Sequence, residues 1–238
     1  MRNILLEIEY DGTDYFGWQY QPKKKTIQGT IEAALNKLLQ EPITLFGASR
    51  TDAGVSAQGQ IANFHTNSRI PVQKIQTALN SLLPHDIYVK NAYGVHLIFH
   101  ARFDAKSKLY YYRIIFGRSP LRQRFAWELK YHLDLSKMER ASKLFLGEKD
   151  YRSFCSVKNE NGIVNLIKIN FIKSDDLIIE IEANRFLYKM VRRIIGSLID
   201  VGRGKITKNE IVKILSGKPH RPFLVAPATG LILVNVKY

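Results

Sequence analysis

The segment of this chain best suited to chemistry is Gly47-Ala48-Ser49-Arg50-Thr51-Asp52-Ala53-Gly54-Val55-Ser56-Ala57. Small residues let a backbone and a ligand approach closely, and glycine permits turn geometries closed to other residues. Asp52 has no bulky neighbour in the sequence to cover it, so a substrate could reach it as a nucleophile or proton acceptor. From spacing alone, a glycine-bearing turn with an incidental surface carboxylate explains the segment as well. The rest of the chain has to decide between them.

The other common chemical devices are missing from the sequence. There is no HExxH or paired-cysteine spacing to hold a metal, and no Gly-x-Ser-x-Gly elbow for a serine nucleophile. Gly202-Arg203-Gly204-Lys205 looks phosphate-friendly, but Ile206 stands where a P-loop needs Ser or Thr. The cluster reads instead as a helix C-terminus stopped by Gly202, where the macrodipole favours cations. The single cysteine, Cys155, excludes an intrachain disulfide and reads as a small buried apolar residue. An enzyme built on this chain would work without metal, nucleotide cofactor or thiol, which leaves the carboxylate.

Charge points to the partner. Thirty-six Lys and Arg against 21 Asp and Glu leave a net +15 over 238 residues, which predicts attraction to a polyanion. Residues 1–102 hold 10 basic and 8 acidic side chains, net +2, whereas residues 103–238 hold 26 and 13, net +13. The second half therefore supplies most of the electrostatic grip. Arg185, Lys189, Arg192 and Arg193 fall at i, i+4, i+7 and i+8, one face of a helix, and read either as a solvated face or as a rim that tracks phosphates. Tyr110, Tyr111 and Tyr112 alternate faces on a strand, so one of them facing outward could stack on a nucleobase. Arg118, Arg122 and Arg124 follow in a loop and suit sugar-phosphate contacts. No run of about 18 apolar residues suggests a membrane span, and Glu7 arrives too early for a signal peptide. The expected setting is the cytoplasm.

The elements that must position these residues follow from periodicity. Ile4, Leu6, Ile8 and Tyr10 alternate as a strand, and Asp11-Gly12 turns the chain. Thr26 caps a helix carrying Ile27, Ile31, Leu35, Leu38 and Leu39 at helical spacing. Strands over 44–49 and 60–65 flank the Asp52 loop. Pro71 opens a second helix, with Val72, Ile75, Leu79, Leu82 and Leu83 as its core stripe, and 87–95 is a strand. This β-α-β-β-α-β order is that of a ferredoxin-like unit. The second half echoes it loosely, with strands over 109–116, 163–172, 177–182 and 231–236. Its helices are expected over 135–146 and 186–201, with a capping box at Thr207 opening a short third one. The expected fold is α+β, two ferredoxin-like halves with mainly antiparallel sheets, domains 1–102 and 103–238.

Four ordered motifs then carry a resemblance to the tRNA pseudouridine synthase A family. Ala48 to Val55 resembles its aspartate signature, and Tyr10-Asp11-Gly12-Thr13-Asp14-Tyr15-Phe16-Gly17-Trp18-Gln19 its opening motif. Gln28-Gly29 falls where its first helix begins. Lys108 to Tyr112 is similar to its tyrosine motif, and Phe186 to Arg192 to its late Phe-Leu-x-x-Met-Val-Arg helix. Ser49 and Ser56 depart from it, standing where the family often has Gly and His. The resemblance implies cofactor-free isomerisation of uridine to pseudouridine in the anticodon stem-loop of tRNA, at positions 38–40, by a homodimer. It implies Asp52 as nucleophile and Arg192 as the cation that keeps Asp52 ionised. It also implies that Tyr110 stacks on the uracil and that Arg50 helps to hold the nucleotide out of the stack. Arg192 meeting Asp52 would put the active site in a cleft between halves joined side by side.

Two other classes fit part of the pattern. An RNA-binding module without catalysis would share the charge and the α/β order, but the Gly-Phe/Tyr strand motif of an RRM is missing. A basic hydrolase could use Asp52 as general base, but no second carboxylate or histidine is placed by the sequence to serve it.

Overall fold

The alternation at the start of the chain becomes β1 (Arg2–Tyr10), with Ile4, Leu6, Ile8 and Tyr10 all buried. It belongs to the first of two units into which the chain divides, Met1–Lys106 with Ile232–Tyr238; the second is Ser107–Leu231. The computed structural model describes residues 1–157, 161–218 and 224–238.

In the first unit, Thr26 caps α1 (Ile27–Leu39), its hydroxyl accepting from the Gly29 N–H. Ile27, Ile31, Leu35 and Leu39 are buried, as their spacing requires. β2 (Phe46–Gly47) covers only two residues of the expected strand. It leads through the Asp52 loop into β3 (Ser56–Thr66). Pro71 precedes α2 (Val72–Leu82), which buries Ile75 and Leu79 and packs on β4 (Ile87–Val95); Leu83 just beyond it is buried, whereas Leu82 of the expected stripe is exposed and Val72 half-buried. β1 runs antiparallel between β3 and β4, so that Leu6 lies opposite Ala62 on one side and Ala92 on the other. This register puts alternate residues of three strands on one apolar face, which the stripes of the helices cover.

The second unit runs β5 (Ser107–Phe116), β6 (Trp127–Leu129), α3 (Leu135–Ser142), β7 (Gly147–Asp150), β8 (Ile163–Lys173), β9 (Leu177–Ala183), α4 (Met190–Gly202) and α5 (Lys208–Leu215). Its sheet order is β5-β9-β8-β7, antiparallel throughout, with β6 parallel to β5 at one side. α3 packs on α4, and α5 opens with the Thr207–Glu210 capping box. The chain then reaches β10 (Leu231–Lys237), which from Ile232 belongs to the first unit and pairs parallel to β3 through Ile232 and Leu233. The architecture is α+β with mainly antiparallel strands, as the order of elements predicts.

Three details of the sequence reading change. The helix expected over 135–146 stops at Ser142, and one tight turn, Lys143–Phe145, buries Phe145 instead. The helix expected from Phe186 starts only at Met190, because Lys189 is left-handed at φ +61°. There the Tyr188 carbonyl accepts from Ser156 N–H, and that of Leu187 from Met190 N–H. Arg185 and Lys189 therefore lie ahead of the helix, and the expected face of four cations reduces to Arg192 and Arg193. Finally, Arg122 is diverted. Asp176, 6% exposed in the β8–β9 turn, accepts from Arg113 Nε and Arg122 Nη1, both at 2.6 Å. A nearly buried carboxylate needs such charge-assisted partners.

Candidate active site

The loop bearing Asp52 is short, yet little of its backbone is left to move. Ala48 N–H donates to the Ile61 carbonyl at 2.7 Å. The buried Gln60 side chain then clamps Ser49, its carbonyl oxygen accepting from Ser49 N–H and its amide donating to Ser49 O. The Thr51 carbonyl accepts from Trp18 N–H at 3.0 Å, and the Tyr10 and Thr51 hydroxyls, both buried, pair at 2.7 Å. Val55 N–H closes a turn onto the Asp52 carbonyl at 3.1 Å, with Gly54 at φ +78°, a conformation that glycine adopts without strain.

The partners of this loop come from the Tyr10–Trp18 segment. Besides the Tyr10 and Trp18 bonds, Gly54 N–H donates to Tyr15 O, and Gly12 N–H to the Ser56 hydroxyl at 3.0 Å. Backbone meets backbone so closely that a β-carbon on Gly12 would lie 2.0 Å from the Val55 carbonyl oxygen. One on Gly17 would lie 2.7 Å from that of Thr51. Two of the four motifs in the sequence are thus one structure, in which the 10–18 turn is the seat of the 51–56 loop. The seat is itself anchored, the Tyr15 hydroxyl donating to Asp86 at 2.6 Å while burial and that acceptor hold the phenol well above its ordinary pKa. Asp52 ends up half-buried on this support, with Arg50 exposed two residues before it. Ser56, one of the departures from the family pattern, is spent on holding Gly12.

In the second unit the tyrosines divide as alternation requires. Tyr110 and Tyr112 share the buried face with Ile181 and Ile179, their respective partners on β9, while Tyr111 lies on the other face opposite Glu180. Spacing alone would therefore choose Tyr111 as the outward ring, and only the resemblance selects Tyr110. Tyr110 is 5% exposed and stands edge-on to Phe186, with ring centroids 5.2 Å apart. Arg192, in the first turn of α4, is half-buried. Its Nε donates to the Ala226 carbonyl at 2.8 Å, and Ala226 N–H returns a bond to Arg192 O at 3.0 Å. The Tyr112 hydroxyl holds the adjacent Pro227 carbonyl at 2.9 Å. Burial raises the Tyr112 pKa against the opposing pull of the Arg192 charge. The segment after Leu224 is thus tied to both the tyrosine strand and the arginine helix, a link that no sequence spacing marks.

Among the described residues no group of three or more His, Cys, Asp or Glu side chains could hold a metal ion, and no helix is long and apolar enough to cross a membrane. The geometry offers a carboxylate fixed in place at a partly open position, and separately a guanidinium and an aromatic ring braced on strand and helix.

Comparison with known proteins supplies the chemical context. The family model described as tRNA pseudouridine synthase matches residues 7–104 and 141–238. The chain is 46% identical to tRNA pseudouridine synthase A of Caldicellulosiruptor bescii, 45% to that of Acetivibrio thermocellus and 42% to that of Thermoanaerobacter pseudethanolicus. Each similarity covers 100% of both chains.

Proposed function

The chain belongs to the family of tRNA pseudouridine synthases, which are isomerases, and from that premise we propose that it converts uridines 38–40 of the anticodon stem-loop with Asp52 as the nucleophile. The observation that carries this reading is the seating of the Asp52 loop. A carboxylate used as a nucleophile must be held at a fixed position and yet be reachable, and Asp52 is half-buried on a backbone bonded on both sides. The reaction is an isomerisation, so atoms balance within the substrate. Asp52 attacks the nucleoside at C1′ or C6, the N1–C1′ bond breaks, the uracil turns, a C5–C1′ bond forms, the bond between the Asp52 oxygen and that carbon breaks to free the carboxylate, and the C5 proton is passed through a base to N1. Neither redox partner nor energy source is consumed.

The remaining roles follow from side-chain chemistry. Arg50, exposed beside the nucleophile, holds the target nucleotide out of the helix, where its reacting carbons are otherwise inaccessible. Tyr110 packs against the uracil and assists removal of the C5 proton. Arg192 supplies a fixed positive charge for the anionic groups of the reaction, its planar fork oriented by the Ala226 carbonyl. The net charge of +15 draws in the tRNA, and the chain acts as a cytoplasmic homodimer, as its resemblance to the family implies. The decisive experiment is incubation of the full chain with unmodified tRNA followed by nucleoside analysis. Pseudouridine at 38–40 is expected, and released uracil or unchanged tRNA would refute the reading.

The arginines after β5 give a second test, in affinity. Arg118 is exposed, whereas Arg122 is bound to Asp176. Arg118→Ala is expected to flatten the plot of log K for tRNA against log salt by about 0.7–0.9, one phosphate contact. Arg122→Ala is expected to leave that slope unchanged and to lower the melting temperature, since Asp176 loses a charged partner. Filter binding across salt concentrations, with thermal melts of the same variants, separates the two. A slope lost equally in both would mean that Arg122 is a phosphate contact after all.

A further inference from the structure

The loop that seats Asp52 also carries two large aromatic rings that the fold leaves in water. Phe16 is 53% exposed and Tyr20 55% exposed, on either side of Gly17 and Trp18, which are buried. This is not a slack loop turning its side chains outward. Phe16 N–H donates to Lys25 O at 2.9 Å, Ile27 N–H to Gly17 O and Gln28 N–H to Trp18 O. Gln21 donates to the Phe16 carbonyl at 3.0 Å, and the Gln28 side chain accepts from Tyr20 N–H at 2.9 Å. The Tyr20 ring lies against the start of α1 so closely that a β-carbon on Gly29 would meet it at 3.0 Å. With one side of this ring braced and over half of its surface exposed, a flat ligand has a prepared partner. Phe16 adjoins Gly17, whose α-carbon rests on the Thr51–Ala53 backbone.

The surrounding charge says what that ligand is. Lys23, Lys24 and Lys25 are all exposed, and Lys24 Nζ stands 5.0 Å from the centre of the Phe16 ring. Lys25 is engaged with Asp86 and lies over Tyr15, while Lys23 and Lys24 point to a partner that is both aromatic and anionic. Exposed rings interleaved with lysines on a rigid backbone fit unpaired nucleotides, whose bases stack on aromatic faces while their phosphates meet the cations. A purely apolar protein partner would leave the lysines with nothing to bind.

We propose that Phe16 and Tyr20 form a stacking platform for the unpaired bases next to the reacting uridine, with Lys23 and Lys24 on their phosphates. The proposal rests on the reading of Asp52 as the reacting group, since the platform is built on the turn that seats it. It gives the chain a way to recognise a loop by its splayed bases, tolerant of their identity because every base has a π-face.

The test uses the full chain and an unmodified tRNA transcript, with KM and kcat read separately. Phe16→Ala and Tyr20→Ala are each expected to raise KM about tenfold, in the range measured for loss of one base-stacking contact. Phe16→Tyr is expected to restore KM, and Phe16→Leu to leave it raised, because leucine keeps the apolar volume without the π-face. A transcript with 2-aminopurine beside the reacting uridine should show its fluorescence quenched on binding to the wild type and less so on binding to Phe16→Ala. A KM within twofold of wild type in both alanine variants, or full restoration by leucine, would overturn the platform. Both rings are exposed, so the variants should melt as the wild type does. Turnover surviving in Asp52→Asn would refute the catalytic assignment instead, and these KM values would still judge the platform.

Discussion

Asp52→Asn is expected to lower pseudouridine formation by at least about a thousandfold, the scale seen when a nucleophile is removed from an enzyme, while tRNA affinity stays within a few fold of wild type. The substitution is nearly isosteric. The backbone bonds of the loop and those of the Tyr10, Gln60, Thr51 and Ser56 side chains remain in the variant. What it removes is the negative charge, and an amide is a poor nucleophile and a poor base. The loss should therefore fall in kcat. Single-turnover assays with enzyme in excess, alongside filter binding of the same tRNA, separate chemistry from affinity. Asp52→Asn turning over near the wild-type rate would end the assignment of this residue as nucleophile.

Gly12→Ala should have the largest effect on stability among conservative changes near the site. The added carbon would stand 2.0 Å from the Val55 carbonyl oxygen, and that atom is backbone, so no side chain can swing away to relieve the clash. Either the 10–18 turn or the 51–56 loop must shift, at a cost of about 3 kcal/mol, the upper part of the usual range for overpacking. For a chain of this size that is a fall of roughly 6–12 °C in melting temperature. Because the displaced partner is the loop of Asp52, turnover should fall together with stability. Gly94→Ala is the control, since its new carbon would meet nothing within 4 Å. Thermal melts and rates measured on both variants test the seating directly. A Gly12→Ala variant indistinguishable from Gly94→Ala would show that the two segments are not in contact.

What was legible in the sequence follows from how far apart the interacting residues are. Thr26, Pro71 and the Thr207–Glu210 capping box mark helix starts through neighbours three residues away or fewer, and all three stand where they were read. β1 is legible because burial on one face imposes a period of two, whereas in β4 that period holds only from Ile87 to Val89 and the next buried residue is Ala92. The Asp52 segment is legible as small residues around a carboxylate, but its seat is not. The Tyr10–Thr51 and Gly12–Ser56 bonds join residues more than forty positions apart, and nothing in either segment alone announces the other. The same holds for Arg122, whose partner Asp176 lies 54 residues on. The start of α4 escaped for a different reason. Leu187 is buried like a helical core residue, so the apolar pattern runs unbroken through a left-handed Lys189 that periodicity cannot register.

The return of β10 to the first unit bears on how the protein is made. β3 pairs with β1 on one side, and along Ser56 and Ala57 its other edge is met by Ile232 and Leu233. During synthesis the first unit emerges early, but that edge waits until the whole of Ser107–Leu231 has been translated. Until then the nascent chain presents exposed backbone donors and acceptors right beside the Asp52 loop, the kind of open strand edge that invites pairing with another chain. The contact that closes it spans well over a hundred residues, so its loop-closure entropy makes it one of the slower events of folding. The β3 edge next to the Asp52 loop is thus completed only after the intervening unit has been made, which places completion of this part of the fold at the end of biogenesis.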